Sequence, residues 1–109
     1  MIATYKVLGQ SAPAATTETD LYTVPASTQA ICSSIVVCNR GSSSITFRIS
    51  VSVGGGATAN KDYNYYDVPV AGNDTFIATI GITLGAGDKV RVYAGNTNLS
   101  FNLYGQELS

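Results

Sequence analysis

Residues 45–53, ITFRISVSV, alternate without a break: Ile45, Phe47, Ile49, Val51 and Val53 point one way, and Thr46, Arg48, Ser50 and Ser52 the other. A period of two is the signature of a half-buried strand. It puts core on one side and solvent or a polar contact surface on the other. Turn clusters cut the rest of the chain into equally short pieces: Arg40–Ser44, Gly54–Gly56, Ala71–Asp74, Gly85–Asp88 and Gly95–Asn98. Between them, Ala30–Asn39 is apolar enough for a central strand. Thr75–Ile80, Ile82–Leu84, Lys89–Ala94 and Leu99–Leu103 read as further strands, and Pro69 places the end of the 60–70 segment at a sheet edge or strand terminus. No stretch of about ten residues carries apolar 3.6 periodicity. Val, Ile and Thr supply 30 of the 109 residues, which favours strands, and a charged fraction of 12% argues against a helical domain. The pattern predicts an all-β, single-domain β-sandwich or jelly roll of about eight short antiparallel strands, with turns about every 8–12 residues.

That one domain spans residues 1–109, with 1–20 partly an extended N-terminal segment. ATYKVLG alternates as a short strand, and SAPAATTETD after it has little to bury. The stretch is expected to cross the surface as an arm or to lie on a partner. Asp20–Thr28 adds a short strand stopped by Pro25.

Several function classes fall away on composition. The net charge is −1, so no basic patch supports nucleic-acid binding. There is no histidine, which removes ordinary Ser-His-Asp and Cys-His catalysis and any His-built metal site. No pair among the seven acids stands out for hydrolysis. Calcium needs about six to eight oxygen ligands, and Asp62, Asp67, Asp74 and Asp88 form no compact ligand run. The glycine clusters lack the Lys-Ser/Thr and helix start of a phosphate loop. The reading is a non-enzymatic chain with no cofactor, no metal, no nucleic-acid partner and no membrane segment. The start, MIATYKVLGQ, lacks the apolar run of about 7–15 residues that a signal peptide needs. Synthesis in a cytoplasm is expected. Cys32 and Cys38, if on one regular strand, share a face about 20 Å apart at ~3.3 Å per residue, too far to bridge, and are expected as buried thiols.

The densest polar-aromatic stretch is Lys61–Asp67, with Tyr63, Tyr65, Tyr66 and Asp67. Tyrosine offers a large rigid ring with a polar tip and is enriched at interfaces. Three readings stand: rings capping the core, with Tyr63 and Tyr65 on one face and Tyr66 on the other; a protein contact; or a sugar site in which rings stack and Asp or Asn binds hydroxyls. Pro13, Thr16 and Thr17 of the N-terminal segment join these four as candidate interface residues.

Two long segments, residues 4–41 and 65–108, carry a family resemblance through Leu8-Gly9-Gln10, Asp20-Leu21-Tyr22-Thr23-Val24-Pro25, Val37-Cys38-Asn39-Arg40-Gly41, Gly87–Ala94 and Leu99–Gly105. The chain resembles small virion structural proteins of tailed bacteriophages. The resemblance implies a particle component; small β-sandwiches of that setting are often capsid decoration, or cement, proteins. It implies the major capsid protein and other copies of the chain as partners, the capsid surface as location, and the host cytoplasm as the place of synthesis. Gly87–Val92 with Phe101 and Gly105 is also similar to the last two strands of trimeric jelly rolls of the C1q and tumour-necrosis-factor kind, which implies a homotrimer. The competing expectation is a tail or baseplate module that binds a receptor or glycan through Tyr63–Asp67.

Overall fold

A computed structural model describes residues 2–109. Nine strands form two antiparallel sheets: β1 Ala3–Ser11, β2 Thr19–Thr23, β3 Gln29–Asn39, β4 Ile45–Ser52, β5 Tyr63–Val70, β6 Thr75–Ala78, β7 Ile82–Leu84, β8 Lys89–Ala94 and β9 Leu99–Leu108. Two 3-10 turns, Val53–Gly55 and Asn60–Asp62, lie between β4 and β5, and among the described residues there is no α-helix. The first sheet runs β1-β9-β3-β6, with β7 also on β3; the second runs β2-β8-β4-β5.

β6 and β7 lie end to end along β3, at Ile35–Cys38 and Ala30–Cys32 respectively. They make one strand position interrupted at Thr79–Gly81, where Gly81 has φ +64°. Nine elements therefore fill eight positions. The halves of the chain pair in reverse order: β1 with β9, β2 with β8, β3 with β6 and β7, β4 with β5. A long antiparallel hairpin folded over into two sheets is a jelly roll, as the strand and turn spacing predicts.

The core lies between the sheets. Phe47, Ile49, Val90, Val92, Ala94, Leu99, Phe101 and Leu103 are each fully buried, at 0% exposure. Phe47 sits centrally, with ring centroids 5.1 Å from Phe76, 6.2 Å from Tyr65 and 6.3 Å from Phe101. At the rim, Asn39 is buried but fully bonded. Its amide donates to the carbonyls of Ser43 (2.8 Å) and Val70 (3.0 Å), and its Oδ1 accepts from the Gly41 N–H (2.9 Å). This ties the β3–β4 loop to the end of β5.

Bulges change the facing of side chains. In β3 the pairing with β9 steps from Cys32↔Gly105 to Ser34↔Tyr104, leaving Ser33 as the extra residue. The alternation restarts there. Cys32 faces the core while Cys38 lies half-buried on the outer face, so the two cysteines occupy opposite faces rather than one. Val53 also departs from expectation. It leaves the strand for the 3-10 turn and is exposed, while Ser50 and Ser52, expected on the solvent or polar-contact side, are buried, with Ser52 Oγ 3.1 Å from Arg91 and 3.5 Å from Asp62.

Candidate interaction surfaces

The outer face of the second sheet holds the predicted tyrosine segment. In β5, Ile49↔Tyr65 is followed by Ser50↔Tyr63, which makes Asn64 an extra residue; between Tyr65 and Val68, Tyr66 and Asp67 both oppose Arg48. Asp67 takes the left-handed conformation, φ +51°, that Asp tolerates better than most residues. These two bulges overturn the facing read from strict alternation. Tyr65 turns inward onto Phe47 and Phe76, 5.3 Å from the latter, whereas Tyr63 and Tyr66 meet edge to face on the outer side at 4.9 Å.

Arg48 completes this cluster. Its guanidinium lies 4.2 Å from the centroid of Tyr66 and 4.4 Å from that of Tyr93, with Nε donating to Asp67 Oδ1 at 2.7 Å. Two cation–π contacts and an ion pair fix the side chain. Neither Arg48 nor Tyr93 stands out in the sequence. The signal was present only as the outward half of two alternating strands, and β8 brings Tyr93 beside Arg48 through the pair Arg48↔Tyr93.

A second cluster on the same face centres on Arg91. Its Nε donates to Asp20 (2.9 Å), and its remaining nitrogens to Ser52 Oγ (3.1 Å), Thr58 Oγ1 (3.0 Å) and the carbonyls of Gly55 (3.0 Å) and Gly56 (2.6 Å). Lys89 adds a 2.8 Å pair with Asp20, and both cations hold that carboxyl below its usual range. The triple glycine is thus anchored on Arg91, and Gly54 also donates to Asp88 Oδ1 at 2.8 Å. Glycine is needed here because Gly54 and Gly55 have φ +75° and +76°. Asp62, buried beneath the loop, accepts from the Ala59 N–H (2.9 Å) and Lys61 (2.9 Å), which also lower its pKa.

The outer face of the first sheet is different in kind. By the pairings, it presents Ala3, Tyr5, Val7 and Gln10 from β1, and Ser100, Asn102, Tyr104, Gln106 and Leu108 from β9. Gln29, Ile31, Ser34, Val36 and Cys38 of β3, with Thr75 and Ile77 of β6 and Thr83 of β7, complete it. None of these strand side chains is charged; Arg40, in the loop after β3, reaches the margin of this face and donates to Ser100 Oγ at 2.8 Å. Tyr5 (81% exposed), Val7 (46%) and Ile77 (63%) lie on it uncovered. The sheet's inward ion pair, Lys6 to Glu107 at 3.2 Å, faces away from this surface, and Glu107 also accepts a hydrogen bond from the Tyr22 hydroxyl.

The N-terminal candidates separate. Pro13 is buried; Thr16 and Thr17 are exposed. Residues 12–18 cross from the first sheet to the second, held by an Ala15↔Ala94 bridge and by the Thr16 N–H donating to the Ala94 carbonyl at 2.8 Å. The Thr16 and Thr17 hydroxyls both donate to the Ala15 carbonyl, at 2.8 and 3.0 Å.

Two open grooves of about 360 Å³ flank the first sheet, one between Gln10–Ala12 and Ser100–Asn102, the other along Gln29–Ile31, Thr83–Gly85 and Leu108. Neither lining contains an ionisable side chain. Among the described residues no three His, Cys, Asp or Glu side chains gather as metal ligands, and no helix is long and apolar enough to cross a membrane. What the surfaces offer is contact: one without charge on its strands and with Arg40 at its margin, one aromatic and ion-paired. Compared with protein-family models and with curated protein sequences, this chain matches none.

Proposed function

We propose that this chain is a non-enzymatic structural protein of a bacteriophage particle, a decoration protein that binds the outer head surface and stabilises contacts between capsomers. The observation that carries the reading is the outer face of the first sheet, with no charged side chain on five strand segments and three large apolar residues exposed. A broad neutral surface of Tyr, Gln, Asn, Ser and aliphatic residues suits a wide hydrogen-bonded interface with an apolar centre. The resemblance of residues 4–41 and 65–108 to virion structural proteins supports the particle setting. Many copies on one shell would turn modest single contacts into lasting attachment.

The test is quantitative mass spectrometry of purified particles together with low-resolution imaging. Hundreds of copies on the head support decoration. A few to some dozens at the tail would reject it in favour of the second reading, a tail or baseplate module binding a receptor or glycan. That reading draws on the Tyr63–Tyr66–Arg48–Tyr93 cluster, a rigid aromatic surface beside Asp67. A glycan array with the purified chain and with Tyr66→Ala addresses it directly.

A further inference from the structure

We propose that two copies of this chain join through β1, antiparallel and centred on Tyr5, so that the first sheet runs on from one copy into the other. The proposal goes beyond the reading above, which requires no self-association.

It starts from the backbone. Ile2 and Ser109 exchange both hydrogen bonds, at 2.6 and 3.1 Å. Bonded and non-bonded pairs alternate along an antiparallel ladder. Thr4–Glu107 and Lys6–Gly105 are therefore bonded pairs, and Ala3, Tyr5 and Val7 turn their N–H and C=O groups away from β9. β1 is the edge of the first sheet. Past Val7 the register shifts at a bulge, and β2 packs against the inner face of Gly9, where a Cβ would collide with the Leu21 carbonyl. The regular edge is therefore residues 3–7.

Edges of this kind are usually blunted by proline, free charge or a break. The opposite edge is broken at Thr79–Gly81. Residues 3–7 contain no proline, and their single charge, Lys6, is engaged by Glu107 of its own chain. The residues with free backbone groups are also those with exposed apolar side chains, Tyr5 and Val7. Centred on Tyr5, the pairing sets Tyr5 against Tyr5 of the second copy, Ala3 against Val7 and Thr4 against Lys6. Every free N–H meets a carbonyl, the aromatic rings face each other, and no like charges meet. Such an interface is isologous and closes at two copies.

The test uses the full chain in sedimentation velocity and light scattering from micromolar to near-millimolar concentration. The mass is expected to rise from 11.3 kDa towards twice that value. Tyr5→Lys and Tyr5→Glu each place like charges directly opposite and should weaken pairing at least about tenfold. Mixed together, the two variants should pair again. Thermal melts check that each variant folds, which is expected because position 5 is exposed. A wild-type chain monomeric throughout, a trimer, or a dimer indifferent to both variants overturns the proposal. Amide exchange on the wild type gives an independent reading. The Ala3, Tyr5 and Val7 amides should slow with concentration while Thr4 and Lys6 stay constant; no slowing at those three overturns it.

Discussion

The two outer faces of this sandwich cover one core, yet they divide the charge unequally. On the second sheet, Asp20, Lys89, Arg91, Arg48 and Asp67 all point outward, and all are ion-paired among themselves. The corresponding strands of the first sheet present none. The charged face spends its polar groups on its own structure: Arg91 holds a glycine-rich loop down, and Arg48 holds two rings apart. The uncharged face makes few side-chain bonds across its surface, such as Gln10 to Asn102 at 2.8 Å. A face whose polar groups are already engaged contributes to stability. A face whose strands carry no charge loses less on being covered, and the Arg40 guanidinium at its margin is already bonded to Ser100 Oγ and the Thr97 carbonyl. The first sheet is accordingly the better candidate for a partner.

The sharpest way to break this comparison is to remove Arg91. Arg91→Met leaves Asp20 with one cation and the carbonyls of Gly55 and Gly56 without their donor. Urea denaturation should show a loss of about 1.5–3 kcal/mol, since hydrogen bonds to a charged group are the strong ones and Arg91, unlike the half-exposed Asp20, is largely covered. Limited proteolysis should cut within residues 53–59. If stability is unchanged, the charged face is not the structural one.

Acid should act on the same contrast. Asp20, Asp62 and Glu107 are held below their ordinary values by the hydrogen bonds and cations described above. A depressed folded pKa gives stability that is complete above the unfolded value and lost as pH falls through the folded one. Stability should therefore be flat above about pH 5 and decline below the ordinary carboxylate values of 3.8 and 4.5. Melts across pH 2–7 at constant salt test this (a range set by the approximate carboxylate pKa values). A decline setting in near neutral pH would contradict the assignment.

Arg48→Leu tests the aromatic cluster alone. It removes two cation–π contacts and one partly exposed ion pair, with an expected cost of about 1 kcal/mol. Greater mobility of the Tyr66 ring in NMR line shapes should accompany it.

The smallest effect on stability is expected on the uncharged face. Val36→Thr or Ile77→Asp should stay within about 0.5 kcal/mol of wild type, as surface changes away from special features do. Ile77→Asp should nevertheless reduce binding to isolated shells at least about tenfold if this face meets the capsid. Equal binding by wild type and variant would move the contact elsewhere. Cysteine labelling adds a check on facing. Cys32 is buried, and burial pushes its thiol up to about 11, while Cys38 lies on the outer face. One thiol should react in the native state and two after unfolding.

Sequence alone determined which segments are strands, their turns and the inward set of β4 from Ile45 to Val51, because period two and glycine-rich turns are local properties; it ended the last strand at Leu103, whereas β9 runs to Leu108 between β1 and β3. It left Pro69 at a sheet edge or a strand terminus, and β5, which ends at Val70, is an edge strand. The polar-aromatic run Tyr63–Asp67 was legible as composition, but alternation put Tyr66 opposite Tyr63, and the two meet on one outer face only because of the bulges. Local pattern could not yield the rest. A bulge is set by the register between strands far apart in the chain, so the flips at Ser33 and Asn64 appear only once β9 and β4 are paired with their partners. Those flips separate the cysteines and send Tyr65 into the core. The crossing at residues 12–18 buries Pro13 for the same reason, since its neighbour Ala94 is distant in sequence. The sorting of charge onto one sheet was likewise decided by the tertiary fold. Which of two alternating faces points outward is settled when the sheets close on each other, and that packing set Arg48, Arg91 and Asp20 side by side.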